Sequence, residues 1–157
     1  MLDSLFKICN NTKAIKVDAI VINLFFNDEV RQFVLDLNRI NQLFYRGVDA
    51  DNKGIGEYSE WTEFINEGKS FTYGGESKPK IAGDNYTLYD TGEFYRSFDV
   101  IVYKDGFSIE ANTIKGKTDL SKKYGKQILG LTESSKDELI DKILPIVIND
   151  IYKQLMQ

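Results

Sequence analysis

The run Asp49-Ala-Asp-Asn-Lys-Gly-Ile-Gly-Glu-Tyr-Ser-Glu60 carries oxygen donors at three of the positions a calcium loop uses. Asp49, Asp51 and Glu60 stand first, third and twelfth, and Gly54 stands sixth, where such a loop must bend. Lys53 occupies the fifth position, however, an ammonium where an oxygen ligand belongs, and Gly56 replaces the aliphatic eighth residue. A polar turn with a glycine bend is the stronger reading, and a calcium-binding module is the alternative. The carboxylates of residues 49–67 would also suit a hydrolase of the two-acid type, whose chemistry needs no histidine. Spacing prefers no pair among them, so solvated loop charges explain them more simply.

Other chemistries are closed by composition. The chain has no histidine, and Cys9 is its one cysteine. Ser-His-Asp and Cys-His triads, His/Cys zinc sites and a disulfide framework therefore fall away. Gly54-Ile-Gly56 lacks the third glycine of a dinucleotide fingerprint, and Tyr73-Gly-Gly-Glu76 lacks the Gly-Lys-Ser/Thr ending of a phosphate loop. Neither an enzyme nor a cofactor or metal is expected.

Charge layout says more. Asp49, Asp51, Glu57, Glu60, Glu63 and Glu67 form an acidic stretch relieved only by Lys53. Lys115, Lys117, Lys122, Lys123 and Lys126 form a basic one relieved only by Asp119. Opposed blocks suit subunits that meet head to tail, acidic patch against basic patch. Two independently solvated faces are the plainer alternative. A third use of the lysines is a phosphate contact with DNA passing through a ring, which needs no sequence code. A net charge of −4, from 20 basic and 24 acidic residues, argues against a general nucleic-acid binder.

The elements that must position these groups belong to one domain of 157 residues, with 42% hydrophobic and 28% charged residues. No apolar run reaches the ~20 residues of a membrane helix. The start lacks the marks of a signal peptide, so a soluble protein made inside the cell is expected. Asn10-Asn11-Thr12 reads as a turn. Residues 17–26, rich in β-branched and aromatic side chains, fit a strand by propensity and a buried helix by periodicity. Asn27-Asp28 reads as an N-cap for a helix through Val30, Phe33, Val34, Leu37 and Phe44 that stops at Gly47. Residues 48–87 form a long loop or short extended pieces, rich in glycine and aromatics. Tyr58 and Trp61 are its candidate anchors, and a partner or its own domain orders it.

Beyond the loop, Asp90 and Glu93 have capping-box spacing before a short helix that turns Phe94, Tyr95 and Phe98 inward. On that reading Asp90→Ala loses a cap worth about 1 kcal/mol. Val100 to Tyr103, a turn at Asp105-Gly106 and Phe107 to Ala111 make a β-hairpin. A helix spans about 120–129, and Ser134 or Ser135 caps the last helix, which Pro145 should kink or break. The sum is an α+β domain, with helices on a small antiparallel sheet and a long aromatic-rich loop.

Three blocks have a family likeness. They are Asn38-Arg-Ile-Asn-Gln-Leu-Phe-Tyr-Arg-Gly47 running into Gly56-Glu-Tyr-Ser-Glu-Trp-Thr62, then Thr87-Leu-Tyr-Asp-Thr-Gly-Glu-Phe-Tyr-Arg-Ser-Phe98, then Lys123-Tyr-Gly-Lys-Gln-Ile-Leu-Gly-Leu-Thr132. Together they resemble small structural proteins of tailed phages and prophages of Bacteroides-type hosts, including crAss-like phages. The core Leu88, Asp90, Thr91, Gly92 and Ser97, with Glu93, also resembles the virion-morphogenesis and tail-completion family related to the Mu G protein. The resemblance implies a virion component at the neck, made in the host cytoplasm, that joins portal and head to tail as a self-associating ring. A tail-completion or assembly factor is the second role it implies.

Overall fold

Asn27 sets the first firm boundary in the computed structural model, which describes residues 15–156. Its side-chain oxygen accepts the amides of Glu29 at 2.9 Å and Val30 at 3.3 Å, capping helix α2, Asp28–Asp36. Cys9 and the Asn10-Asn11-Thr12 turn lie outside the described residues. Ahead of the cap, Val17–Leu24 is helical and forms α1. Ile20, Val21, Leu24 and Phe25 fall on one helical face, and α1 packs on the last helix. Tertiary burial thus overrides the β-propensity of this run.

The helix begun at Asp28 does not stop at Asp36. Leu37–Arg46 continues it with the wider π-helical winding, and Gly47 closes it in the left-handed conformation, φ +60°. The Gly47 amide donates to the Gln42 carbonyl, the i→i−5 bond of that winding. A side chain at Gly47 would also collide with Asn85, 2.4 Å from the position of its Cβ.

Residues 48–87 contain more regular structure than a loop. Helix α3, Glu60–Ile65, is capped by Ser59, whose hydroxyl accepts the Thr62 amide at 3.2 Å. Strands β1, Phe71–Tyr73, and β2, Glu76–Lys78, form a hairpin. Tyr45 donates to the Gly74 carbonyl, and Lys78 donates to the Tyr45 carbonyl at 2.6 Å, which fastens this hairpin to the π-helical segment. Helix α4, Glu93–Arg96, leads into β3, Asp99–Tyr103, and β4, Gly106–Glu110. Tyr103 pairs with Gly106, so Lys104 and Asp105 form the turn, one place earlier than the Asp-Gly pair suggests. Val100 and Ile109 pair across the hairpin and are buried beneath it.

Strands β5, Ile114–Lys115, and β6, Thr118–Asp119, precede α5, Leu120–Tyr124. Gly125, φ +90°, ends that helix early, and Lys126–Leu129 is a separate 3-10 turn. The last helix, α6, runs Glu133–Leu155. Its cap is Thr132, not Ser134 or Ser135: the Thr132 hydroxyl accepts the Ser135 amide at 3.2 Å. No break occurs at Pro145, which lies on the exposed side of α6 with Asp141, whose carbonyl its missing amide would have met. The architecture is α+β, with the sheet content divided among three antiparallel two-stranded ladders.

Polar side chains hold the centre. Asn38 and Gln42, both fully buried, project one turn apart from the π-helical segment. The Asn38 amide donates to the carbonyls of Ile128 at 3.2 Å and Gly130 at 2.7 Å. Gln42 donates to the Gly130 carbonyl and accepts the Thr132 amide, both at 2.9 Å. Between them Arg39 donates to the Tyr95 carbonyl and pairs with Asp36. The three blocks named above meet here.

Gln42→Leu leaves the Thr132 amide without an acceptor in a dry site, a loss of about 2 kcal/mol in urea unfolding. A change below about 0.5 kcal/mol would remove this ladder from the list of what holds the fold. Tyr95 gives a second expectation. Its ring is fully buried and its hydroxyl donates to the Thr87 carbonyl, and burial pushes its pKa well above 10.0. Above pH 10 the unfolded chain releases this proton while the folded chain keeps it, so stability falls as pH rises beyond that point. Tyr95→Phe should flatten that alkaline decline in thermal melts from pH 8 to 11. An unchanged slope would assign the decline to other groups.

Candidate functional site

Asp90 joins parts of the chain that are far apart in sequence. One carboxylate oxygen accepts from Lys115 Nζ at 2.7 Å, and the other lies 3.5 Å from Lys80 Nζ. The Lys115 contact holds the Asp90 carboxyl below its ordinary range. Lys80 is largely enclosed, 12% exposed in its side chain, with Nζ 3.9 Å from the Phe71 ring centroid. Burial lowers its pKa, with Asp90 opposing. Sequence spacing gave Lys80 no prominence, because Lys78-Pro79-Lys80 lies outside both charge stretches.

The capping role expected of Asp90 is not found. Helix α4 is entered through Gly92 in the left-handed conformation, φ +79°, and no side chain caps it. That bend separates the Asp90 carboxylate, committed to the two lysines, from the first helical amides. The Glu93 amide instead lies 3.5 Å from the Thr91 hydroxyl, the edge of hydrogen-bonding distance. Gly92 has its own reason: its φ of +79° lies in the left-handed region that side-chain-bearing residues rarely adopt. Ser97 donates to the Phe94 carbonyl at 2.7 Å and accepts the Asn112 amide at 3.0 Å, tying α4 to the segment after β4. Phe94, Tyr95 and Phe98 are buried as the spacing requires.

Among the described residues, Leu88 is one of two other than glycine with positive φ, at +56°. A leucine in this region costs roughly 1–2 kcal/mol. It lies between two hollows that share Asp90 and Lys115. One, of about 150 Å³, is lined by the Leu88 to Phe94 turn and by Asn112 and Ile114. The other, of about 440 Å³, has walls of Tyr58, Tyr86, Tyr89 and Tyr124, with Lys80, Lys115 and Lys123 as its cations. Asp90 is the one carboxylate lining it. Tyr58 meets Tyr86 edge to face at 4.9 Å, and Tyr86 meets Tyr124 at 5.8 Å.

The two anchors of the aromatic segment part company. Tyr58 is buried, shares a hydrogen bond with the Thr87 hydroxyl at 3.0 Å and accepts the Thr87 amide. Trp61 is 68% exposed, stacked at 5.7 Å on Phe64, itself 66% exposed. Phe64 follows Trp61 by three residues in a Ser-capped helix, which is the signal that pairs them.

The acidic stretch also divides. Asp49 accepts the amides of Asp51 and Lys53, both at 2.9 Å, and Asp51 lies 3.6 Å from Lys53, so this portion closes a polar turn. Glu60, Glu63 and Glu67 surround the exposed rings of α3, with Glu63 also accepting the Ala82 amide at 2.8 Å. Glu57 precedes them, in a backbone bridge with Asn85. No group of three His, Cys, Asp or Glu residues gathers to hold a metal among the described residues.

In the basic stretch, Lys115 and Lys123 line the tyrosine cleft, while Lys122 pairs with Asp119 and Lys117 and Lys126 lie apart from it. Among the described residues no ion pair links the two stretches. Nor is any described helix long and apolar enough to cross a membrane. Comparison with family models, curated proteins and solved structures gives no match.

Asp90→Ala and Asp90→Asn should cost the same, about 0.5–1 kcal/mol, because asparagine restores a cap but not a charge. Wild-type stability in Asp90→Asn would reinstate the cap. The lowered carboxyl pKa fixes the pH window: this contribution is present above the unfolded value of 3.8 and is lost as pH falls through the lower folded value. A charge-neutral variant should lack that acid-side decline.

Proposed function

We propose that the chain is a structural subunit of a neck or head-to-tail connector ring in a tailed-phage particle. Its subunits meet through unlike surfaces, and its role involves no reaction. The observation that carries this reading is the pair of charge stretches left unneutralised by each other, one of them bearing an exposed aromatic pair. A self-complementary chain with two unlike surfaces builds rings when the rotation closes. The resemblance of the three blocks supplies the setting, and their meeting around Asn38 and Gln42 supports reading them as one fold signature. Its partners are further copies of itself, the portal and neighbouring neck or tail proteins. The lysines outside the tyrosine cleft are available to DNA in the channel. On this reading the protein resides in the virion.

Quantitative mass spectrometry of gradient-purified particles, normalised to the portal, tests this directly. About one copy per portal subunit is the expected ratio for a ring matched to the portal in subunit number. Absence from finished particles, with presence in assembling lysates, would move the protein to the assembly-factor role.

A further inference from the structure

Trp61 and Phe64 present a stacked apolar surface with no covering element among the described residues, a pairing of exposed rings that suits a contact. Ile65, 49% exposed, and Ile81, 44% exposed, extend it. Glu60 and Glu67 bracket this pair in the sequence, and neither side chain has an ion-pair partner among the described residues. The tyrosine cleft has the opposite character: three ammonium groups against one carboxylate, in walls made of aromatic rings. Within it Lys80 and Lys115 share Asp90, so the cleft keeps an excess of positive charge.

We infer that the tyrosine cleft of one copy receives helix α3 of the next, with Trp61 and Phe64 against its rings and Glu60 and Glu67 toward its lysines. This rests on the assembly reading above and names the two surfaces that meet. Charge complementarity selects a second copy as occupant, since the same chain supplies both the acidic aromatic knob and the cationic aromatic cleft. Thr62, the neighbour of Trp61 on α3, forms part of the cleft's rim, so each copy carries its knob beside its own cleft. The contact is heterologous and repeats from copy to copy.

Trp61 is the sole tryptophan, so indole fluorescence reports on the contact itself. The full chain is followed by sedimentation and by acrylamide quenching across a concentration series. As larger species form, emission should shift to the blue and quenching should fall several-fold. Phe64→Ala and Lys123→Glu, both changes at the surface, should each raise the half-assembly concentration at least tenfold, with circular dichroism unchanged. Glu60→Lys combined with Glu67→Lys should fail alone, and mixing it with Lys123→Glu should restore assembly.

Larger species in which Trp61 stays open to acrylamide would overturn this contact and leave the assembly reading standing. Wild-type protein that stays monomeric at every concentration would overturn this contact, and the copy ratio in purified particles then decides the assembly reading. Oligonucleotide binding that Lys123→Glu abolishes, with Trp61 still exposed, would assign the cleft to a polyanion and overturn the contact as well.

Discussion

Two buried amide side chains hold the segment before the last helix by its backbone. Asn38 and Gln42 place donors and an acceptor where residues 128–132 offer carbonyls and an amide, and water has no access to replace them. Left unmade, such bonds expose the full desolvation cost of each group, so the arrangement is nearly all or none. Thr132 is held on its amide by Gln42 and uses its hydroxyl to cap α6. Arg39, between the two amides, reaches the Tyr95 carbonyl and so fixes α4 from the same turn. Helices α4 and α6 thus take their positions from one stretch of π-helical backbone. The wider winding sets which side chains share its inner face, and three successive polar groups are used within two turns of it.

Around that centre, aromatic rings do what a continuous sheet does in other α+β folds. Phe44, Tyr73, Tyr89 and Tyr95 contact one another at 4.8–5.9 Å, joining the π-helical segment, the β1–β2 hairpin and the turn before α4. Each ladder has only two strands and little stability by itself. Rings of this kind add edge-to-face contacts to their buried area. The same use of aromatics explains why residues 48–87 hold their shape on their own domain, while two rings, on α3, remain outside it. Surplus aromatic surface beside unpaired charge is what the proposed contact between copies draws on.

Much of the architecture was legible because its signals are local. The 28–46 helix followed from Asn27, the three-and-four spacing of Val30 to Leu37 and Gly47. The β3–β4 hairpin followed from the β-branched run Val100 to Val102, a turn signal at Asp105-Gly106 and the return segment Phe107 to Ala111. The inward set Phe94, Tyr95 and Phe98 followed from spacing alone. What escaped was decided elsewhere in the chain. Residues 17–24 are helical because α6 supplies a surface for the face that carries Ile20. Asp90 is turned to Lys80 and Lys115, ten residues before it and 25 after it, by the left-handed Gly92. Thr132 displaces the two serines as cap because Gln42 holds its amide. The candidate site was half visible: Lys115, Lys123, Tyr58 and Trp61 stood out by type, but the union of lysines and tyrosines in one cleft depends on the tertiary fold.

The central hydrogen bonds span 88 to 92 residues of chain. During synthesis the π-helical segment leaves the ribosome long before its backbone partners exist, carrying Asn38 and Gln42 with nothing but water to bond. Closing so long a loop is slow relative to local helix formation. The nascent protein therefore cannot complete its core until residue 132 has emerged, and a chain interrupted before that point keeps hydrated amides where the dry centre should be.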